Sequence, residues 1–322
     1  MFVEIVALIV GLGVLVWSAD RFIEGSAILA THYGVSPLTV GVVFVGFGTS
    51  APEIVVSLMA ALEGNPGLAL GNAFGSNIIN IGLVIGVTAL ISPLVIHSRV
   101  IRQEMPLLLA VTLIASLILL EGSLRRWEGS LLLSGFFLVV GWMLFAAGSG
   151  RSDALGLEVE EELKGRPKMS SSKALMMALV GLVVLILSSR LLVWASVELA
   201  QALGVSDLVI GLTLVALGTS MPELAASITA ALKREDDIAV GNIIGSNVFN
   251  LLAVIGIAGV VAPIEQLDRE ILSRDLPAVV LFTLAMFAFG FGFRGQGQIS
   301  RTKGGVLLAG FAAYLWLLFS SL

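Results

Sequence analysis

The chain alternates long apolar stretches with short polar ones, and the apolar stretches are long enough to cross a membrane. A transmembrane helix needs roughly 20 predominantly apolar residues. Runs of about this length predict ten such helices, which we number as spans 1 to 10. They cover about residues 2–19, 37–62, 67–92, 105–121, 129–148, 173–195, 206–232, 238–263, 275–293 and 304–320. The pattern therefore predicts an all-α polytopic membrane protein.

One internal segment is polar enough to lie in water. Residues 149–172 combine charges of both signs with Gly, Ser and Pro, which is typical of a linker. We therefore expect a five-helix unit over 1–148, a linker over 149–172 and a second five-helix unit over 173–322. Thirteen of the 18 Lys and Arg residues fall in loops after odd-numbered spans, so the positive-inside rule predicts that these loops and the linker are cytoplasmic. Both termini are then expected outside.

Composition narrows the possible chemistry. Of the 322 residues, 57% are apolar and 13% are charged, and there are two His and no Cys. The lack of Cys and the scarcity of His exclude a zinc site of the usual kind. A net charge of −5 without a dense basic run gives nucleic acid nothing to bind. No motif in the sequence indicates a cofactor or a protein partner.

The two halves of the chain repeat each other at an offset of 170 residues. GTSAPE at 48–53 matches GTSMPE at 218–223, and GNAFGSNIIN at 71–80 matches GNIIGSNVFN at 241–250. Because each half holds an odd number of spans, the second copy enters the membrane from the opposite side. Secondary transporters are often built from such inverted-topology repeats.

Each repeat places one carboxylate deep in the membrane. Glu53 lies well inside span 2, and Glu223 lies at the equivalent place in span 7. A charged side chain at this depth costs several kcal/mol and marks an ion pathway by default. Neither span contains Lys or Arg, so the expected partner of these acids is a cation from solution.

A proline precedes each of these carboxylates. Because proline has no N–H, Pro52 and Pro222 leave the carbonyls of Gly48 and Gly218 without their helical partners. We therefore expect spans 2 and 7 to be broken at these prolines. We also expect breaks in spans 3 and 8. Irregular backbone at membrane depth is tolerated where it is buried in protein or lines a wet cavity.

Small polar residues recur beside the two acids. Span 3 carries three of them at helical spacing, and span 8 repeats them: Asn72, Ser76 and Asn80, then Asn242, Ser246 and Asn250. Hydrogen bonding between helices is the alternative role for any one of these residues. Recurrence in both halves favours cation binding by Ser76, Asn80, Ser246 and Asn250. The other amides are expected to fix or cap the helix break beside the site: Asn72, Asn77, Asn242 and Asn247. An all-oxygen site suits Ca²⁺ or Na⁺ better than transition metals.

With these segments, the chain resembles the cation/calcium exchanger superfamily, specifically its sodium/calcium exchanger branch. The resemblance covers nearly the whole chain. It implies a core of spans 2, 3, 7 and 8 that holds the ions, with spans 1 and 6 sliding across it. It also implies that Glu53 and Glu223 bind both Ca²⁺ and Na⁺, and that Thr49 and Thr219 add backbone carbonyls. The hydroxyls implied as Na⁺ ligands belong to Ser50, Ser76, Ser220 and Ser246, with further carbonyls near Gly46 and Ala216.

The resemblance implies a compact prokaryotic antiporter in the plasma (inner) membrane, which moves Ca²⁺ in exchange for Na⁺. One departure is that Asn250 stands where several family members have Asp, which leaves the central site with two acids. More than two Na⁺ in such a site would carry net positive charge, so we expect electrogenic exchange.

Three other functions are alternatives to sodium/calcium exchange. A proton/calcium exchanger of the same superfamily has a glutamate after the GNA segment, whereas this chain has Gly75-Ser76 and Gly245-Ser246. An intramembrane enzyme could use two carboxylates as acid and base, but the sequence offers no nucleophile or HExxH motif to go with them. A passive cation channel would differ in that a Na⁺ gradient could not drive Ca²⁺ uphill.

Overall fold

The computed structural model describes residues 2–33, 49–96, 99–148, 169–232, 234, 236–290 and 297–320, most of which lie in helices. The first half contains α1 (Phe2–His32), α2 (Ala51–Leu62), α3 (Pro66–Ile91), β1 (Leu94–Ile96), α4 (Arg99–Leu119) and α5 (Arg126–Gly148). The second half begins with α6 (Ser171–Leu203), α7 (Asp207–Thr219) and α8 (Met221–Leu232). It continues with α9 (Asp236–Phe249, Asn250–Val254 and Ile255–Val261), α10 (Ile271–Gly290), β2 (Gly297–Ile299) and α11 (Arg301–Ser320).

The apolar helices agree with an integral membrane protein. Among the described residues, six helices are long and apolar enough to cross a membrane, and the bent pair α7–α8 makes a seventh. Several of these helices keep large apolar side chains exposed, as lipid-facing helices do. The first part of span 2 (37–48) and most of the linker (149–168) lie outside the described residues. The full count of ten spans stays a prediction.

Span 7 is bent where the sequence predicts a break. Helices α7 and α8 meet at an angle of 42° around Ser220, two residues before Pro222. In span 2, α2 begins at Ala51, so Pro52 lies in its first turn. The missing N–H of proline costs no hydrogen bond in the first turn of a helix. Proline therefore defines the start of both half-helices that carry the buried acids.

Spans 3 and 8 are not broken, which corrects that expectation. Both run as continuous helices with a π-helical segment, Asn80–Ile85 in α3 and Asn250–Val254 in α9. These segments start at repeat-equivalent asparagines. Neither helix has a proline beyond its first turn, so no backbone donor is missing and the helix widens by one residue instead of breaking.

Glycines let the helices of the two halves approach closely. Gly71 of α3 faces Gly211 of α7, and a Cβ on Gly71 would lie 2.9 Å from the Gly211 Cα. Gly75 is packed equally tightly against Leu212 and Ala216. Because each residue lacks a side chain, the two backbones touch where they cross. Gly71, Gly75 and Gly211 are therefore packing positions, whereas a Cβ on Gly245, the repeat equivalent of Gly75, would meet nothing within 4 Å.

The two long helices α1 and α6 pack along each other. A Cβ on Gly25 would lie 2.6 Å from the Ala178 backbone N, and one on Gly181 would lie 2.5 Å from the Phe22 backbone N. Both helices exceed the predicted lengths of spans 1 and 6 because they continue to His32 and Leu203.

Connections between spans pair at the ends of the molecule. Strand β1, which follows α3, pairs antiparallel with β2, which follows α10, and the backbone of Val95 donates to Asp236 at the start of α9. A separate bridge joins Leu124, which follows α4, to Ile264, which follows α9. One cluster therefore joins connections that follow spans 3, 7 and 9, and the other joins connections that follow spans 4 and 8.

Candidate functional site

The predicted ligand residues lie in four spans, 2, 3, 7 and 8, that meet in the protein interior. Five come from α2, the two residues before it and α3, and five come from α7, α8, the residue between these two helices and α9. Nine of the ten are at most 1% exposed: Ser50, Glu53, Ser76, Asn80, Thr219, Ser220, Glu223, Ser246 and Asn250. The tenth, Thr49, is partly buried.

Glu53 and Glu223 occupy equivalent places in the first turns of α2 and α8. Both are fully buried, and they lie close enough to interact electrostatically. In the described part of the chain, neither forms an ion pair with Lys or Arg, and the ion pairs seen there join other residues. The start of a helix carries partial positive charge, which favours a carboxylate in its first turn. That partial charge does not neutralise two buried acids.

A chain of hydrogen bonds links residues from all four core spans. The Ser50 hydroxyl donates to the Ser246 oxygen at 2.9 Å, and the Ser246 hydroxyl donates to Glu223 Oε1 at 2.9 Å. The Asn80 amide donates to the Ser246 oxygen at 3.4 Å and to Asn247 Oδ1 at 3.0 Å. Ser246 therefore links residues of the first half to the Glu223 carboxylate of the second half.

Many buried oxygens of the site have no hydrogen-bond partner among the described residues. They include both carboxylate oxygens of Glu53, Glu223 Oε2, the hydroxyls of Ser76 and Ser220, and the amide oxygens of Asn77, Asn80 and Asn250. Buried polar atoms are normally paired because burying them alone costs roughly 1–3 kcal/mol each. A cation that accepts oxygen ligands would satisfy several of these atoms together. The cluster therefore has the chemistry of a hard-cation site.

The two halves differ in the hydrogen bonds that their equivalent side chains form. Ser246 is hydrogen-bonded to Glu223, whereas the equivalent Ser76 and Glu53 have unpaired side-chain oxygens. The Asn80 amide has two partners, whereas both side-chain atoms of the equivalent Asn250 have none among the described residues. The carboxylate of Glu53 and the hydroxyl of Ser76 have no partner among the described residues and are therefore both free to bind a cation.

Threonines and asparagines form crossed contacts between the halves. The Thr49 hydroxyl donates to Asn242 Oδ1 at 3.2 Å, and the equivalent Thr219 hydroxyl donates to Asn72 Oδ1 at 3.1 Å. Asn72 and Asn242 therefore lie beside the site and join helices of opposite halves, instead of fixing a helix break.

Two serines at the site were missed by the sequence reasoning. Ser57 accepts a hydrogen bond from the Asn72 amide at 3.0 Å, and the equivalent Ser227 donates to the Ala239 carbonyl at 3.3 Å. Both match at the same offset of 170 residues, so the repeat itself contains the signal that identifies them.

The carbonyls expected near the site are partly observed. The Ala216 carbonyl accepts the backbone N–H of Ser220 at 3.0 Å, and the Thr219 hydroxyl also lies within hydrogen-bond distance of it, at 3.4 Å. Gly46 and Gly48 lie outside the described residues.

Comparison with known proteins gives consistent matches over the whole chain. The sequence model of the family described as sodium/calcium exchanger protein matches residues 3–145 and 173–320. The chain is 44% identical over 322 residues to the putative antiporter CaxA of Alkalimonas amylolytica, with 100% of both proteins covered. It is 39% identical over 323 residues to the inner membrane protein YrbG of Escherichia coli, with 99% of this chain and 98% of that protein covered. A solved structure of the sodium-calcium exchanger NCX_Mj matches with a TM-score of 0.65 at 28% identity, and 98% of each chain is covered.

Proposed function

The chain belongs to the sodium/calcium exchanger family, and we propose that it moves Ca²⁺ across the membrane in exchange for Na⁺ by alternating access. As a member of that family it is a membrane transporter and not an enzyme. Sodium as the coupling ion, electrogenic exchange and the individual ligands are the parts that we propose.

The observation that carries the proposal is the cluster of unpaired oxygens around two buried acids. Glu53 and Glu223 supply two negative charges, and in the described part of the chain no basic side chain pairs with either. One Ca²⁺ neutralises both charges. We propose that the two carboxylates bind Ca²⁺, with backbone carbonyls from Thr49 and Thr219.

Neutral ligands extend the site beyond what one Ca²⁺ needs. We propose that the Na⁺ ligands include the four serine hydroxyls and two amides, from Ser50, Ser76, Ser220, Ser246, Asn80 and Asn250. More than two Na⁺ bound to two carboxylates carry net positive charge. Exchange would then move charge across the membrane, at about 2.3 kcal/mol per elementary charge per 100 mV.

The proposed architecture has ten spans in two inverted five-helix repeats, with the linker on the cytoplasmic side. The pairing of connections supports it, because β1 and β2 follow spans 3 and 9, whereas Leu124 and Ile264 follow spans 4 and 8. Chain segments on opposite faces of a membrane could not pair in this way. The name of the relative in Escherichia coli supports a place in the inner membrane.

Uptake of Ca²⁺ into reconstituted vesicles tests the function. Vesicles loaded with Na⁺ and diluted into Na⁺-free buffer are expected to accumulate Ca²⁺, and the rate should respond to a clamped membrane potential. Vesicles with an H⁺ gradient in place of the Na⁺ gradient serve as the comparison. Equal uptake with an H⁺ gradient would identify a proton/calcium exchanger, and Ca²⁺ equilibration without uphill transport would identify a channel.

A further inference from the structure

The crossed contacts between threonine and asparagine join opposite halves of the protein. Thr219 of α7 donates to Asn72 of α3 at 3.1 Å, and Thr49, which precedes α2, donates to Asn242 of α9 at 3.2 Å. Each pair therefore contains one residue from each repeat.

Both the oxygen and the nitrogen of the Asn72 side-chain amide form hydrogen bonds. While its oxygen accepts from Thr219, its nitrogen donates to the backbone carbonyl of Glu53 at 3.3 Å and to the Ser57 hydroxyl at 3.0 Å. Asn72 is fully buried, so water does not compete for these bonds. One side chain therefore connects Thr219 of the second half to the backbone of an acid in the first half.

The Glu53 carboxylate itself has no hydrogen-bond partner among the described residues. Asn72 therefore contacts Glu53 through the backbone carbonyl and not through the carboxylate. The Thr219 side chain also lies close enough to the Glu53 carboxylate to interact with it. We propose that Thr219 and Asn72 are positioning residues that hold Glu53 at the distance from the second half that cation binding requires.

The equivalent pair is less complete. The nitrogen of Asn242 has no partner among the described residues, and Ser227 bonds to the Ala239 carbonyl and not to this amide. Glu223 is instead held through its side chain by Ser246. The Thr49 side chain lies close to the Glu223 carboxylate, as Thr219 does to Glu53. Because Asn242 makes fewer described hydrogen bonds than Asn72, we expect the Thr219–Asn72 pair to contribute more to the geometry of the site.

This inference rests on the proposed function, and the test separates the two. Thr219→Val keeps the shape and the backbone carbonyl but removes the hydroxyl, and Thr219→Ser restores the hydroxyl. Thr112→Val is the matched control, because Thr112 is a buried threonine on α4 whose hydroxyl donates to Leu108 of its own helix and lies 3.5 Å from the Thr283 hydroxyl.

The readouts are Ca²⁺ uptake into Na⁺-loaded vesicles and Ca²⁺ titration calorimetry of the purified protein. Thr219→Val is expected to raise the half-saturating Ca²⁺ concentration about three- to tenfold, the range for one lost hydrogen bond, with most of the maximal rate retained. Thr49→Val should have a smaller effect, and Thr219→Ser should return the affinity to near the parent value. A loss of maximal rate alone would point to a structural role.

A double substitution distinguishes a pair from two independent residues. If Asn72 acts through Thr219, adding Thr219→Val to Asn72→Ala should change the affinity little further. The positioning role is wrong if Thr219→Val binds Ca²⁺ as Thr112→Val does, or if Thr219→Ser fails to restore binding. If the parent protein shows no Na⁺-driven uptake, the proposed function fails, whereas calorimetry still tests the pair through Ca²⁺ binding.

Discussion

The Ser246 hydroxyl donates to Glu223 Oε1 at 2.9 Å, whereas the hydroxyl of Ser76, its equivalent in the first repeat, has no partner among the described residues. Each serine lies between a glycine and an asparagine, in Gly75-Ser76-Asn77 and Gly245-Ser246-Asn247. The difference therefore comes from the conformation of each half around the site and not from its local sequence. Two related halves with different conformations are what alternating access requires.

This difference predicts unequal effects of removing the two hydroxyls. Ser246→Ala removes the partner of Glu223, Ser50 and Asn80, so the ion-free protein should unfold at a lower temperature. Ser76→Ala removes a hydroxyl without a described protein partner, so the ion-free stability should stay near that of the parent. Thermal unfolding without ions and with Na⁺ measures both effects.

In Na⁺, both variants should gain less stability than the parent, because each lacks a proposed ligand. A Ser76→Ala protein that gains as much as the parent would exclude Ser76 from the Na⁺ site.

The two buried acids predict a loss of transport on neutralisation. Glu53→Gln and Glu223→Gln each keep the side-chain shape and remove one charge, so Ca²⁺ uptake should fall to near background while the protein still inserts. Glu128→Gln is the matched control, because Glu128 is also buried but accepts a hydrogen bond from the Arg125 backbone at the start of α5. Substantial uptake by either site variant would contradict joint binding by both carboxylates.

The sequence predicts that the chain is built of apolar helices and identifies polar residues that the structure brings together, because burial in lipid and a repeated motif leave strong patterns. It does not predict how the residues pair. Asn72 and Asn242 match in the repeat, yet only the Asn72 nitrogen has a described partner. Bonds between α3 and α7 depend on the positions of helices that are distant in sequence.

The expected breaks in spans 3 and 8 are wrong because a polar pattern in the sequence does not by itself predict a break in the backbone. A polar stripe indicates a site, but only a missing backbone donor requires a break. In α3 and α9 the residues that follow Ser76 and Ser246 all have an N–H, and the structure has π-helical segments there.

The close crossing of α3 and α7 predicts that one glycine is much more sensitive than its neighbour one turn away. A Cβ on Gly71 would lie 2.9 Å from the Leu212 backbone N, whereas one on Gly67 would have its nearest contact at 3.8 Å. Gly71→Ala should therefore separate the helices and lower both stability and transport. Gly67→Ala should be neutral or stabilising, because alanine favours a helix over glycine by about 1 kcal/mol. Thermal unfolding of both variants checks this, and equal behaviour would show that the crossing tolerates a methyl group.

The distribution of basic residues predicts that both termini lie outside the inner membrane. A reporter that is active only in the cytoplasm, fused after Leu322, should be inactive, and the same reporter inserted in the linker near 160 should be active. The linker fusion serves as the internal control for expression. An active C-terminal fusion would overturn the topology and with it the inverted arrangement of the halves.

Replacing Asn250 by Asp would add a third acid to the site and is expected to change the pH dependence of transport. Both of its side-chain atoms are buried without a described partner, so Asn250→Asp breaks no hydrogen bond seen in the structure. The repeat-equivalent change Asn80→Asp is the contrasting control, because the Asn80 amide donates to Ser246 and Asn247 and a carboxylate cannot. Asn250→Asp should keep transport, while Asn80→Asp should lose most of it. The new carboxyl can bind either a proton or a further cation, so Ca²⁺ uptake by Asn250→Asp should depend more steeply on pH than uptake by the parent. Uptake measured over a pH series at clamped voltage checks this, and the same pH profile in parent and variant would place Asn250 outside the ion site.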